Sequence, residues 1–315
     1  MKEKTMVIII GAGTMGYGLA LVLAQGGSEV VLTDTNTAAL ARARELIHST
    51  LSALESSNEL NRSPEDILAQ IKTASDYRAF ARDADLIIEA IIEDVEAKRE
   101  LFEEIVLHIG DRTIVASNTS YLDIFRIIPE KIQKRILITH FFNPPYIIPL
   151  VEVVGGSQTE PEMISVVVSL LKRAGMTPVL LRKFVPGYIV NRLQRALGRE
   201  VLYMIDEGFA DPEEIDLAVK ASLGIRLPIL GVVARYDHTG LDMTLRALKA
   251  PDIGLAKEDR VSPSVLELVE KGHLGIKSGK GFFDYGSKSL AELIRERDKK
   301  LLRVRQLLKE MREIG

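Results

Sequence analysis

The chain has 315 residues, of which 46% are hydrophobic and 27% are charged, and its net charge is −3 at pH 7. This length exceeds one average domain, so it predicts two domains around a sizeable core. The nearly balanced charge gives no reason to expect a nucleic-acid partner. The absence of cysteine excludes disulfides, thiolate metal sites and a cysteine nucleophile, and it fits a cytoplasmic location.

An uncharged stretch at residues 6–27 is long enough to cross a bilayer, which takes about 20 apolar residues. Six glycines within it argue against a membrane helix, because each costs roughly 1 kcal/mol relative to alanine. The β-branched run at 6–10 instead indicates a buried strand, and residues 14–25 suit a helix. The apolar pattern then continues into a second strand at 29–34, without a signal-peptide cleavage pattern. We therefore expect neither a signal peptide nor a membrane association.

The turn between the first strand and the first helix carries a GxGxxG motif, in Gly11-Ala12-Gly13-Thr14-Met15-Gly16. A strand before it, a helix after it and a second strand within about 30 residues are typical of a dinucleotide-binding βαβ unit. Gly11 permits the tight turn, Gly13 lets the backbone approach a pyrophosphate, and Gly16 lets the helix pack on the strand. The start of the helix offers free N–H groups to the phosphates.

Asp34 ends the second strand, near the spacing at which an acidic residue binds the adenine ribose hydroxyls. Thr35 and Asn36 follow it, and neither supplies a cation for a 2′-phosphate. The motif therefore predicts NAD, rather than NADP, as the cofactor.

The rest of the chain alternates between strand and helix patterns as far as residue 181. Further strands are predicted at 85–91, 113–118, 135–140, 148–156 and 177–181, and helices at 36–57, 64–71, 95–109 and 163–175. The helices at 36–57 and 64–71 form an inserted arm. One long helix is predicted at 186–208, after which no strand pattern remains. We expect an NAD-binding Rossmann-type doubly wound sheet in residues 1–183 and an all-α substrate and dimerisation domain in residues 184–315.

Catalytic chemistry is indicated by one of the five histidines. His140 ends a buried strand, and ligands bind at the carboxyl ends of strands in open α/β sheets. Ser120 also follows a strand directly, and Glu152 lies within an apolar strand, where an unpaired carboxylate is costly. A His140–Glu152 pair would supply acid–base catalysis for hydride transfer. The alternative is a structural histidine and a surface glutamate.

Several segments resemble the 3-hydroxyacyl-CoA dehydrogenase family: SNTSY (117–121), HFFNPPYIIPLVEVV (140–154), PGYIVNRL (186–193), DPEEID (211–216) and GIKSGKGFFDY (275–285). The resemblance spans nearly the whole chain, in order. It implies an NAD-dependent oxidoreductase with a helical second domain that dimerises. The candidate catalytic residues are His140, Glu152, Ser120 and Asn191. The candidate cofactor-binding residues are Gly11, Gly13, Thr14, Met15, Gly16, Asp34, Glu93, Lys98 and Asn118, the candidate substrate-binding residues are Ser120, Asn143 and Asn191, and no metal is expected.

The acyl carrier is the open point of the sequence. The expected reaction is oxidation of the 3-hydroxyl of a short-chain (S)-3-hydroxyacyl-CoA, such as 3-hydroxybutyryl-CoA, or its reverse. Tyr121 replaces a second serine, and NPPYIIPLVE is similar to the lambda-crystallin, L-gulonate 3-dehydrogenase and carnitine dehydrogenase branch. A dehydrogenase of a free 3-hydroxy acid is therefore an alternative, and a non-catalytic NAD-binding structural protein is a third. The phosphates of CoA would need cations. The arm offers Arg42, Arg44 and Arg62 at its two ends but no Lys or Arg at 45–61, which weakens the electrostatic case for CoA without excluding it.

The C-terminal segment, residues 289–314, has apolar residues at helical spacing among charged ones. It is expected to form a helix that packs on the body or across a dimer, or else a solvated and partly frayed helix.

Overall fold

The computed structural model describes residues 4–314, which form two compact units. The first unit ends at Ile189 and the second begins at Val190. This division lies six residues beyond the expected boundary between residues 183 and 184. The reason is that Tyr188 is 1% exposed within the core of the first unit, and Phe184 and Val185 pack against that core.

The first unit contains one eight-stranded sheet, with the strand order β3-β2-β1-β4-β5-β6-β7-β8. Its strands are β1 (Met6–Ile10), β2 (Glu29–Thr33), β3 (Ile71–Ala74), β4 (Leu86–Glu89), β5 (Ile114–Ser117), β6 (Ile136–Phe141), β7 (Leu150–Gly155) and β8 (Thr177–Leu181). Only the β6–β7 pair is antiparallel. The edge strand β3 was not predicted; its first residue, Ile71, was placed at the end of the predicted helix at 64–71. Its four residues are too few to display a strand alternation.

The helices of the first unit are α1 (Gly16–Gln25), α2 (Thr37–Ser56), α3 (Pro64–Ala69), α4 (Arg78–Ala81), α5 (Val95–His108) and α6 (Pro161–Arg173), with two short 3₁₀ turns at Ile124–Arg126 and Glu130–Arg135. Successive side chains of a strand point to opposite faces of the sheet. In β1 both sets of side chains are buried, so both faces of the sheet are covered. Ile8 belongs to a core cluster with Phe102 of α5, while the alternate residues Val7 and Ile9 are also fully buried. This is the predicted Rossmann-type architecture.

The second unit is built of helices: α7 (Val190–Asp206), α8 (Pro212–Ala221), α9 (Leu223–Leu230), α10 (Ala234–Thr239), α11 (Leu241–Leu248), α12 (Pro263–Glu270) and α13 (Leu290–Glu310). The predicted helix at 186–208 begins later, at Val190, because Gly187 and Tyr188 have positive φ angles of 77° and 49°. The C-terminal segment forms α13, in which Leu302 is buried while Val304 and Leu307 are exposed. No helix within residues 4–314 has the length and apolarity needed to span a membrane.

Candidate active site

The turn between β1 and α1 has the shape that the glycine motif predicts. Gly11 has φ of 109°, and a Cβ atom there would lie 2.5 Å from the carbonyl oxygen of Ala90. A Cβ at Gly16 would lie 1.8 Å from the carbonyl oxygen of Gly11. Side chains at these two positions would therefore collide with backbone, and the tight turn requires glycine at both.

The opposite side of this turn is open. A Cβ at Gly13 would meet no atom within 4 Å, and Gly13 and Thr14 are exposed. Helix α1 has no capping side chain at Met15 and no acidic residue in its first turn, whereas Asn36, Asp94 and Ser289 cap α2, α5 and α13. The first N–H groups of α1 thus have no side-chain acceptor and can bind an anionic group. These features fit the pyrophosphate of a dinucleotide.

Asp34 follows β2 beside the same turn. Its Oδ2 accepts a hydrogen bond of 2.8 Å from the backbone N–H of Ala12, and its Oδ1 accepts one of 2.8 Å from that of Asn36. Asp34 and Gly11 also line a cavity of about 390 Å³ at the carboxyl ends of the strands. A carboxylate can accept about four hydrogen bonds, so Asp34 can hold the turn and bind ribose hydroxyls together.

His140 and Glu152 lie opposite each other on the antiparallel strands β6 and β7. His140 Nδ1 is 2.9 Å from Glu152 Oε2, and the other carboxylate oxygen, Oε1, accepts a hydrogen bond of 2.9 Å from the backbone N–H of Ile189. The Glu152 side chain is fully buried and that of His140 is 6% exposed. A carboxylate only accepts hydrogen bonds, so Nδ1 carries the proton in the neutral ring and Nε2 is left as the basic nitrogen.

Aromatic side chains enclose the imidazole of His140. The ring centroid of Phe142 lies 4.6 Å from that of His140, and the ring centroid of Tyr188 lies 4.9 Å from it. Tyr188 was not singled out in the sequence, because it precedes α7 rather than following a strand. Its position in PGYIVNRL, directly before the candidate Asn191 helix, was the available signal.

The loop after β5 carries Ser120 and is held by Glu93. Glu93 Oε1 accepts hydrogen bonds from the hydroxyl of Thr119 at 2.6 Å and from the backbone N–H groups of Ser120 at 2.8 Å and Tyr121 at 3.2 Å. Partial burial raises the pKa of Glu93, but these hydrogen bonds and the charge of Lys98 together lower it by more. The pKa of Glu93 therefore lies below its ordinary value. Glu93 is therefore ionised while it fixes the Ser120 loop.

Glu93 is also in contact with a buried ion pair. Lys98 Nζ lies 2.5 Å from Glu89 Oε1 and 3.3 Å from Glu93 Oε2, and the side chains of Lys98 and Glu89 are 1% and 0% exposed. The hydroxyl of Ser117 donates to Glu89 Oε2 at 2.5 Å. Lys98 was predicted as a cofactor-binding residue, but its buried ammonium group is placed to hold the two carboxylates. Glu89 was missed, because a glutamate ending a strand is common on a protein surface.

The three candidate asparagines occupy different positions. Asn118 Oδ1 accepts a hydrogen bond of 2.9 Å from the backbone N–H of Phe141, which joins the ends of β5 and β6. Asn143 is exposed in the loop between β6 and β7. Asn191 lies in the first turn of α7, in the second unit. Within residues 4–314, no group of three or more His, Asp or Glu residues is arranged to hold a metal ion.

Two family models match the chain in succession. The model described as "3-hydroxyacyl-CoA dehydrogenase, NAD binding domain" matches residues 6–184, and the model for the C-terminal domain of the same family matches residues 187–285. A probable 3-hydroxybutyryl-CoA dehydrogenase of Deinococcus radiodurans is 36% identical, over 88% of this chain and 99% of the relative. The chain belongs to the 3-hydroxyacyl-CoA dehydrogenase family.

A second relative is similar over a longer part of the chain. The 5-formyl-3-hydroxy-2-methylpyridine 4-carboxylate 5-dehydrogenase of Mesorhizobium japonicum is 35% identical, over 96% of this chain and 97% of the relative. A solved structure of an enzyme with this activity, described as an NAD⁺-dependent dismutase, superposes with a TM-score of 0.87 at 34% identity, over 97% of this chain and 99% of the other. The (S)-3-hydroxybutyryl-CoA dehydrogenase of Ralstonia eutropha superposes with a TM-score of 0.71 at 30% identity, over 90% and 100% of the two chains.

The predicted family, fold class, cofactor and enzyme class are thus confirmed. The protein is an NAD-dependent oxidoreductase with a Rossmann-type first domain and a helical second domain. The alternative of a non-catalytic NAD-binding structural protein is set aside by this membership.

Proposed function

We propose that the protein oxidises the 3-hydroxyl of a hydroxy acid, free or as a thioester, with His140 as the general base. The observation that carries this proposal is the buried His140–Glu152 pair, in which Nδ1 is bound and Nε2 is basic. Nε2 takes the hydroxyl proton, and Glu152 stabilises the imidazolium that forms. In the reverse direction the imidazolium returns the proton. NAD, when bound, supplies the acceptor for the hydride that leaves the substrate carbon.

Ser120 and Asn191 are proposed to bind the substrate. The Ser120 hydroxyl would donate to the reacting oxygen, whose charge increases as its proton leaves. Glu93 supports this role, because it fixes the backbone of Ser120. Asn191 and Asn143 are proposed as further substrate-binding residues. Gly13, Thr14 and Met15 are proposed to face the pyrophosphate, and Asn118 the cofactor.

For the acyl carrier, we infer that the substrate is a small hydroxylated carboxylic acid without CoA. Two of the arm cations support this inference, because Arg44 and Arg62 lie at different places in the first unit. Arg44 donates through Nε to the hydroxyl of Thr73 at 2.8 Å, whereas the guanidinium of Arg62 lies beside Gly27. Thr73 of β3 pairs with Leu32 of β2, and Leu32 lies five residues beyond Gly27. Five residues of extended chain span on the order of 15 Å. Arg44 and Arg62 therefore do not form one phosphate clamp.

The extent of the similarity supports the same inference. The two family models end at residue 285, while the match to the Mesorhizobium dehydrogenase covers 96% of the chain and so extends into the segment that carries α13. The substrate named for that relative is a pyridine carboxylate rather than a CoA ester. The match to the Deinococcus relative covers 88%.

A short-chain 3-hydroxyacyl-CoA is the second candidate. The names of the Deinococcus and Ralstonia relatives favour it, and one structural observation agrees with them. Arg44, His48 and Lys72 line a cavity of about 470 Å³ beside β3, which could accept a phosphate group.

The test compares NADH formation with 3-hydroxybutyryl-CoA, free 3-hydroxybutyrate, L-gulonate and L-carnitine. We expect the highest kcat/KM with a free acid. A far higher kcat/KM with 3-hydroxybutyryl-CoA would favour the second candidate. In that case Arg44→Ser with Lys72→Ser should raise KM for the thioester and weaken its salt dependence, while Arg62→Ser, at Gly27, serves as the matched control.

We further propose that the protein is a homodimer through its second unit. Among the described residues of that unit, Ile215 and Leu302 are the only apolar side chains that are buried in the chain. Large apolar side chains are exposed instead, including Phe209 at 66% and Leu248 at 79%. A unit of this size ordinarily buries a core of its own, so a second copy is the partner that would cover these side chains.

Light scattering at micromolar concentration should give twice the mass of the chain. Leu248→Glu should shift the mass towards the monomer, because it places a charge in the apolar surface. Leu107→Glu is the matched control, since Leu107 is an equally exposed leucine, at 76%, on α5 of the first unit. A monomeric wild-type mass would contradict the proposal.

A further inference from the structure

Tyr188 adopts a backbone conformation that bulky residues avoid. Its φ angle is 49°, and it follows Gly187, whose φ is also positive at 77°. Left-handed backbone is unfavourable for a residue with a Cβ, and it persists only where the surroundings fix it. Such residues are concentrated at functional sites. Tyr188 is also 1% exposed and belongs to the core cluster of the first unit.

Three contacts fix this conformation, and each reaches a different part of the candidate site. The Tyr188 hydroxyl donates a hydrogen bond of 2.9 Å to the carbonyl oxygen of Thr119. Its ring lies against the imidazole of His140. The next peptide N–H, that of Ile189, donates to Glu152 Oε1 at 2.9 Å. One strained residue therefore connects the Ser120 loop with both members of the acid–base pair.

The Thr119 carbonyl is the second attachment of the Ser120 loop. Glu93 holds the loop through the Thr119 hydroxyl and the backbone N–H of Ser120, and Tyr188 holds the carbonyl of Thr119 between them. Thr119 is fully buried, so water cannot replace the donor. Burial raises the pKa of the Tyr188 hydroxyl above its ordinary value, which keeps it protonated as a donor at neutral pH.

We propose that Tyr188 is a positioning residue that sets the location of Ser120 relative to His140. This proposal rests on the proposed function, in which Ser120 binds the reacting oxygen and His140 takes the proton. The hydroxyl of Tyr188 does not react; it fixes the Thr119 carbonyl, and through it the neighbouring Ser120 side chain.

The test is Tyr188→Phe, which keeps the ring on His140 and removes only the hydroxyl. Kcat should fall by about tenfold, because a buried carbonyl loses its donor and the loop gains freedom. The KM for NAD should not change, since the β1–α1 turn is untouched. Ile132→Val is the matched control, because it removes one methylene from a fully buried residue of the same core. It should lower the thermal stability about as much as Tyr188→Phe does and leave kcat unchanged.

A double-mutant cycle with Ser120→Ala separates positioning from general destabilisation. If Tyr188 acts through Ser120, Tyr188→Phe should cause little further loss of kcat in the Ser120→Ala background. An undiminished tenfold loss in that background would overturn the proposal, as would an unchanged kcat for the single variant or an equal loss in Ile132→Val. Failure of the proposed function is recognised separately, by full activity of His140→Gln.

Discussion

Replacing Glu152 by glutamine exchanges one carboxylate oxygen for an NH₂ group and should abolish the action of His140 as a base. Both carboxylate oxygens accept hydrogen bonds, one from the backbone N–H of Ile189 and one from His140 Nδ1, each at 2.9 Å. A glutamine has one acceptor oxygen and one NH₂ group. If the oxygen stays with Ile189, the NH₂ group faces Nδ1, which must then give up its proton. The proton moves to Nε2, so the nitrogen that should accept the substrate proton already carries one.

The size of this effect follows from the role of a general base. Removing such a base typically lowers the rate by about 10²- to 10⁴-fold, or about 3 to 5 kcal/mol of transition-state stabilisation. The charge that would stabilise the imidazolium is lost as well, so Glu152→Gln should fall in the upper part of this range. The fold should survive, because the substitution keeps the volume of the side chain and removes a buried charge.

Steady-state NADH formation measures kcat, and calorimetric titration measures the Kd for NAD, which should not change. Glu160→Gln is the matched control, because it makes the same chemical change on a half-exposed side chain that precedes α6. Its kcat should equal that of the wild type. The assignment of His140 and Glu152 as the acid–base pair would be refuted if Glu152→Gln had a kcat within a few-fold of the wild type and an unchanged thermal transition.

Two further expectations concern the cofactor turn and the Ser120 loop. Asp34→Asn keeps an acceptor for the Ala12 N–H but loses the charge that excludes a 2′-phosphate. The preference for NAD over NADP should therefore decrease by about 10- to 100-fold, which corresponds to the free energy of a charged hydrogen bond. An unchanged ratio of kcat/KM for NAD to kcat/KM for NADP would contradict the placement of Asp34 at the ribose. The pKa of Glu93 lies below the ordinary value of 4.5, so its contribution to stability is present above pH 4.5 and is lost as the pH falls through the lowered pKa. Thermal unfolding should therefore separate the wild type from Glu93→Gln at neutral pH and bring the two together in acid, and a constant separation down to acid pH would show that Glu93 does not contribute as an ion.

The shape of the glycine turn and the contact between His140 and Glu152 could be predicted from the sequence because local patterns determine them. The GxGxxG turn is formed within one βα unit, and its steric demands at Gly11 and Gly16 act over a few residues. His140 and Glu152 stood out because each lies in an apolar strand, and a short connection between neighbouring strands favours pairing. In the structure β6 and β7 are antiparallel, with a register that sets His140 opposite Glu152.

The features that the sequence did not reveal depend on contacts between distant segments. Tyr188 meets Thr119 across 69 positions of the chain, and no local pattern marks such a partner. Glu89 is buried by its pairing with Lys98 and Ser117, so only the folded chain distinguishes it from a surface glutamate. The contacts of the arm arginines were not visible in the sequence either: Arg44 binds Thr73 of β3, whereas Arg62 lies beside Gly27, before β2.

The role of His140 as the proton acceptor is tested most directly by His140→Gln. This substitution removes the basic nitrogen and leaves the β1–α1 turn, Asp34 and the Ser120 loop in place. The decisive measurement is the rate of NADH formation at saturating NAD and substrate, alongside the Kd for NAD. We expect an unchanged Kd and a rate lower by about 10²- to 10⁴-fold. A rate within a few-fold of the wild type would contradict the proposed mechanism.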